Sequence, residues 1–127
     1  MPPSRNEDRP DILVLDGNSH NAALLRRFLA KQGYDPTVMT ELNTLDDQLL
    51  EAVQFDCAVI DIDRFDRPVW NCCGQLHDLG IPFIVLSGIR DRSLRRKSRE
   101  HGAQTYVIKP IPQRELRSLI SNILDFN

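Results

Sequence analysis

Phe55-Asp56-Cys57-Ala58-Val59-Ile60-Asp61 is the stretch whose reading decides the fold. Positions 57–60 carry no charge and show no apolar–polar alternation, the pattern of a strand covered on both faces. Asp61 closes the run, and Ile62 and a second acid, Asp63, follow it. In an open parallel sheet, ligands bind beyond the carboxyl ends of the strands, where loops leave for the helices. An acid there stands where chemistry can be done. One such acid is a weak signal, because every strand must end in something polar. Its weight comes from repetition elsewhere in the chain.

Upstream, Asp11-Ile12-Leu13-Val14-Leu15-Asp16 reads as a first strand with its own terminal acid. Gly17-Asn18-Ser19 is a turn, and Asn18 or Ser19 can cap the helix that follows. Over 20–31, Ala23, Leu24 and Phe28, with Leu25 beside them, recur at helical spacing until Gly33 ends the helix. Residues 34–39 form a second strand, which Pro36 places at the outside of a sheet. Thr44 is positioned to cap a helix running to Val53, with Leu45, Leu49 and Val53 on one side.

Downstream, Pro68 suits the first turn of a helix that ends at Leu79-Gly80, with Trp70, Cys73 and Leu76 inward. Pro82-Phe83-Ile84-Val85-Leu86-Ser87 is a fourth strand, closed by Ser87-Gly88. Residues 93–101 form a very basic helix with Leu94 as its apolar anchor, stopped by Gly102. Tyr106-Val107-Ile108 is a fifth strand ending in Lys109-Pro110. A last helix over about 112–124 turns Leu116, Leu119, Ile120 and Ile123 inward. Five strands alternating with five helices predict a three-layer, doubly wound, mostly parallel α/β sheet domain. The expected organisation is a loose polar arm over 1–10 and one domain over 11–125, with no separate output domain.

Length and composition agree. The chain has 127 residues, 41% apolar and 27% charged, enough for one ordinary core. No apolar run is long enough to cross a bilayer and the start is no signal peptide, so the expected location is the cytoplasm. Cys57, Cys72 and Cys73 show neither zinc spacing nor a disulfide framework and read as buried free thiols. His20, His77 and His101 lie far apart, at the surface or at helix ends. Net charge is −2, yet residues 1–63 hold 12 acids against 5 bases while residues 64–127 hold 6 against 11. That polarised surface argues against a protein that binds nucleic acid with its whole body.

If the first, third, fourth and fifth strands lie side by side, their ends gather Asp16, Asp61, Ser87 and Lys109. A carboxylate that attacks a phosphoryl group needs a divalent cation to screen the two negative charges from each other. Mg2+ suits such an oxygen-only site. A lysine supplies a compact positive charge for phosphate oxygens, and a hydroxyl can donate to one of them. Asp61 is then the nucleophile that forms an acyl phosphate, held by Ser87 and Lys109. Nucleotide- and flavin-binding folds of similar layering fit poorly, since the turn after the first strand has a single glycine and no phosphate cradle.

From Asp11 to about Leu124 the chain resembles the receiver domain of two-component response regulators. The resemblance rests on Ile12-Leu13-Val14-Leu15-Asp16, Phe55-Asp56-Cys57-Ala58-Val59-Ile60-Asp61, Ile81-Pro82-Phe83-Ile84-Val85-Leu86-Ser87-Gly88 and Gly102-Ala103-Gln104-Thr105-Tyr106-Val107-Ile108-Lys109-Pro110. It implies a flavodoxin-like five-stranded sheet of order 2-1-3-4-5. It also implies phosphorylation of Asp61 by a histidine kinase or histidine phosphotransfer protein, and contact of Ser87 and Lys109 with the phosphoryl group. Tyr106 matches the aromatic that rotates inward when the hydroxyl residue, here Ser87, moves toward the phosphate. The face of the fourth helix, fifth strand and fifth helix would carry the signal to a downstream protein or homodimer mate, through Leu94, Arg95, Arg96, Tyr106 and Leu116. No conventional enzyme is implied; Mg-dependent self-phosphorylation from small donors and self-dephosphorylation are.

Two positions depart from that family's pattern. The usual second acid after the first strand is Gly17, which predicts weak Mg2+ binding by Asp16, Asp61 and Asp63. Asn18 could reach inward in its place, and Asp63 could add charge to the metal site, orient water or face solvent. The Met-Pro pair usual in the loop after the nucleophile is Arg64-Phe65, which predicts a different path there. A second reading therefore stands beside the phosphoacceptor: a degenerate receiver that binds partners without phosphorylation. Residues 90–101 hold six bases (Arg90, Arg92, Arg95, Arg96, Lys97, Arg99) against Asp91 and Glu100, either a solvated face or a contact for an acidic protein rather than DNA. Trp70 is expected to pack its helix onto the sheet.

Overall fold

Strands buried on both faces must be covered by helices, and the alternating strand–helix order supplies them. The computed structural model describes residues 9–45, 50 and 52–125. Its strands are β1 (Asp11–Asp16), β2 (Asp35–Met39), β3 (Cys57–Asp61), β4 (Phe83–Ser87) and β5 (Thr105–Ile108). They form one parallel sheet of order β2-β1-β3-β4-β5, as expected. β1, β3 and β4 are buried at every residue, while β2, which contains Pro36, lies at one edge and β5 at the other. The helices with both ends among the described residues are Ser19–Lys31, Pro68–Asp78, Arg92–Glu100 and Gln113–Asp125, with a short 3-10 turn at Leu42–Thr44.

Alternate strand residues feed two core layers, because side chains change face at each step. Leu13, Leu15, Ala58, Ile60, Phe83 and Val85 pack with Cys73 and Leu76 of the helix Pro68–Asp78. Ile12, Val14, Cys57, Val59, Ile84 and Leu86 pack with Phe28, Leu29, Leu116 and Ile120 of the first and last helices. Leu119 and Ile123 are partly buried beside them, so the expected inner face of the last helix stands. All three cysteines are free and buried.

Two helical phases need correction. In Ser19–Lys31 the buried residues are Ala22, Phe28 and Leu29, with Leu25 partly covered; Ala23 is exposed and Leu24 is 48% exposed. The run Ala22-Ala23-Leu24-Leu25 is apolar throughout, so it left the phase open, and the sheet takes the stripe continuous with Phe28 and Leu29. In Pro68–Asp78 the inner stripe is Val69, Cys72, Cys73 and Leu76. Trp70 is only half-buried and turns toward the end of the basic helix, 5.3 Å from the His101 ring, with the Lys97 ammonium 5.4 Å from its centroid. The basic helix buries Ser98 and half-buries Leu94. Leu45 and Leu50 are buried in the first core layer and Val53 is partly buried against it, whereas the start of the helix that Thr44 is expected to cap, the inward Leu49 and most of the arm lie outside the described residues.

Candidate functional site

Parallel register brings the strand ends level. Asp16 pairs with Asp61 across β1 and β3, Asp61 with Leu86 across β3 and β4, and Ser87 with Ile108 across β4 and β5. Lys109 follows Ile108, and its N–H donates to the Ser87 carbonyl at 2.8 Å. Strand order reverses between β1 and β3, the place where open α/β sheets bind ligands. Asp16, Asp61, Ser87 and Lys109 therefore gather at one end of the sheet.

Lys109 Nζ donates to Asp61 Oδ2 at 2.6 Å and lies 2.9 Å from Asp63 Oδ2. The Asp63 N–H donates to Asp61 Oδ1 at 3.1 Å. Asp63 itself turns inward. Its Oδ1 accepts from Ser87 Oγ at 2.5 Å, and its Oδ2 accepts from the Gly88 N–H at 2.8 Å. Ser87 Oγ also accepts from the Ile89 N–H at 3.1 Å, and the Tyr106 hydroxyl donates to the Ile89 carbonyl at 2.6 Å. The Tyr106 ring is buried, with the Arg95 guanidinium 5.3 Å from its centroid.

The charges follow this geometry. Burial would raise the Asp63 carboxyl, but hydrogen bonds from Ser87, Lys109 and Gly88 outweigh it and hold the group below the usual range. Burial would lower the Lys109 ammonium, yet Asp61 and Asp63 raise it above its ordinary value. Asp16 is only 1% exposed, and burial, reinforced by neighbouring Asp61, pushes its carboxyl up against the hydrogen bond from the Asn18 N–H. Asp16 Oδ2 is buried with no hydrogen-bond partner.

Magnesium is the cation that the residue types imply. The orphaned Asp16 oxygen beside Asp61 fits a hard cation, and Mg2+ commonly takes one or two carboxylates plus waters and phosphate. Other potential ligands are committed elsewhere. Asn18 Oδ1 caps the first helix by accepting from the Asn21 N–H at 3.0 Å, and both Asp63 oxygens are engaged. Among the described residues no group of three or more His, Cys, Asp or Glu side chains is arranged to hold a metal. The donor set fits a cation held by the free Asp16 oxygen, with Asp61 joining it when one of its oxygens gives up the Lys109 ammonium or the Asp63 N–H.

Gly17 is not an empty third position. A Cβ built there would stand 2.7 Å from Arg64 Cβ and 3.4 Å from the Phe65 ring. The loop after β3 occupies the space that a side chain at 17 would need. Both departures are visible in the sequence, but that they form one packing arrangement is not; their joint occurrence is the available signal. The inward turn of Asp63 was also missed, because a carboxylate two residues past a strand can face either way.

Of the expected contact residues, Arg95 and Arg96 are exposed, Leu94 is half-buried and Tyr106 is buried beneath Arg95. Leu116 is a correction: at 3% exposure it belongs to the core layer packed against the sheet rather than to an exposed contact surface. A cleft of about 460 Å3 opens beside the acids, its lining shared by Asp16, Asp61 and Lys109 with the apolar Leu24, Leu25, Phe28 and Ile111. No described helix is long and apolar enough to cross a membrane.

The fold and the level strand ends define a doubly wound α/β domain with an acidic pocket at its switch point. Residues 12–121 match the response regulator receiver domain, and the chain belongs to that family. It is 26% identical over 117 residues to the two-component response regulator-like protein APRR4 of Arabidopsis thaliana, covering 89% of this chain and 39% of that one. It is 25% identical over 115 residues to the two-component response regulator ORR21 of Oryza sativa subsp. indica, covering 89% and 17%. The chain thus spans well under half the length of these relatives. Among solved structures, a two-component response regulator from Clostridium difficile superposes with a TM-score of 0.79 at 20% identity over 92% of this chain and 97% of that one. A CheY-like response regulator receiver domain protein from Methanospirillum hungatei gives 0.79 at 23% identity over 92% and 94%. These structures establish the shared fold.

Proposed function

We propose that the chain is a phosphoacceptor of a two-component phosphorelay, taking a phosphoryl group on Asp61 from a histidine kinase or histidine phosphotransfer protein. The observation that carries this reading is the 2.6 Å contact between Lys109 Nζ and Asp61 Oδ2, with Ser87 Oγ and the Gly88 N–H converging beside it. An Asp61 carboxylate oxygen attacks phosphorus, forming an O–P bond as the donor's P–N bond breaks with its electron pair returning to the imidazole. Lys109, Ser87 and the Gly88 N–H supply donors for the phosphoryl oxygens. A divalent cation bound by Asp16 and Asp61 would screen the negative charge. Hydrolysis of the acyl phosphate returns Asp61. The cleft beside Asp61, whose lining includes the exposed Leu24, gives a donor side chain a way in.

The signal would leave by protein contact through the surface bearing Leu94, Arg95, Arg96 and the buried Tyr106 beneath, to a target protein or a second copy. Its exposed charge suits an acidic protein partner. The degenerate-receiver reading draws support from one arrangement, the filling of the Gly17 position by Arg64.

Incubation with acetyl phosphate and Mg2+, followed by intact mass, tests the proposal. A gain of one phosphoryl mass that Asp61→Asn abolishes is expected. No gain in folded protein favours the partner-binding module.

A further inference from the structure

A phosphoryl group on Asp61 would be met by Ser87 Oγ, the Gly88 N–H and Lys109 Nζ. In this structure one carboxylate already engages all three. Asp63 accepts from Ser87 at 2.5 Å and from Gly88 at 2.8 Å, and pairs with Lys109 at 2.9 Å. We propose that Asp63 is an internal ligand of the phosphoryl seat, holding the switch residues as a phosphoryl group would and leaving the seat only when Asp61 is phosphorylated. The inference rests on the phosphoacceptor reading and adds a specificity-determining residue to it.

The coupling outward is continuous. Ser87 Oγ, drawn to Asp63, accepts from the Ile89 N–H at 3.1 Å; the Ile89 carbonyl accepts from the Tyr106 hydroxyl at 2.6 Å. Arg95 of the basic helix lies over the Tyr106 ring. Asp63 therefore biases Tyr106 toward its inward position without any phosphate. It also competes with an incoming phosphoryl group for three donors, one of them charged. Phosphorylation then exchanges one anion for another, and the signalling surface changes less than in a chain without an acid at 63.

Two measurements on the intact chain test this, with Asp63→Asn and Asp63→Ala. The first is the rate of mass gain from acetyl phosphate and Mg2+, expected to rise roughly tenfold when the competing carboxylate is removed. The second needs no phosphate: hydrogen exchange of the Ile89 amide, expected to lose protection roughly tenfold as Ser87 is released. If the variants gain mass on Asp61 at the wild-type rate, or Ile89 stays equally protected in both, the proposal is overturned while the phosphoacceptor reading stands. If no folded protein, wild-type or variant, gains mass, the phosphoacceptor reading fails and the proposal, which rests on it, is overturned with it.

Discussion

Gly17 and Arg64 are packed as a pair: a Cβ on Gly17 would stand 2.7 Å from Arg64 Cβ, too close for both to keep their places. The obstruction lies at the base of Arg64, where the side chain cannot swing aside. The absent second acid after β1 and the altered loop after β3 therefore depend on each other.

Gly17→Ala should destabilise the fold by about 1–3 kcal/mol, the usual range for overpacking a filled site. Arg64→Gly removes the obstructing Cβ, so the double variant should be less destabilised than the sum of the singles, as read from urea midpoints. Gly17→Asp alone should not tighten Mg2+ binding, whereas Gly17→Asp with Arg64→Gly should, by titration calorimetry. Additive stabilities would refute the coupling.

Gly102 ends the basic helix with φ of +99°, and a Cβ there would run into the His77 ring, 2.7 Å from Cγ. Gly102→Ala thus meets both left-handed strain and a clash, and should cost about 2 kcal/mol or more. Adding His77→Ala removes the ring but not the strain, so it should restore part of the lost thermal midpoint. Full restoration would show that the backbone conformation is cost-free.

Burial pushes the Cys57 and Cys73 thiols from 9.0 to about 12 and raises Cys72 as well. Between 9 and 12 the unfolded chain loses these protons while the folded chain keeps them, so stability must fall as pH rises through that window. The slope is about 1.4 kcal/mol per pH unit for each thiol once the unfolded form ionises. Urea midpoints at increasing alkalinity should fall, and less steeply in Cys57→Ala. Native protein at pH 8 should also resist alkylation at all three cysteines until unfolded.

The fold was legible because unbroken apolar runs, such as 57–60 and 83–86, admit few alternatives once helices alternate with them. Asp16, Asp61, Ser87 and Lys109 were legible for a related reason: parallel register carries strand-end residues to one level. What was not legible depends on side-chain direction or on packing between distant segments. Leu24 sits in an apolar run that fits two helical phases. Trp70 is expected on the inner face, yet it only flanks the core while neighbouring Val69 is the residue buried there. Asp63 follows the strand in a loop, where no periodicity fixes its orientation, and only the donors of Ser87, Gly88 and Lys109 do.

The most direct test of the central claim is to locate the phosphoryl group. After incubation with acetyl phosphate and Mg2+, borohydride reduces an aspartyl phosphate to homoserine, which peptide mass spectrometry can place. The account predicts homoserine at position 61, in greater yield in Asp63→Asn and absent in Asp61→Asn. An unmodified aspartate at 61 in both the wild-type and Asp63→Asn proteins, each shown to be folded, would contradict it.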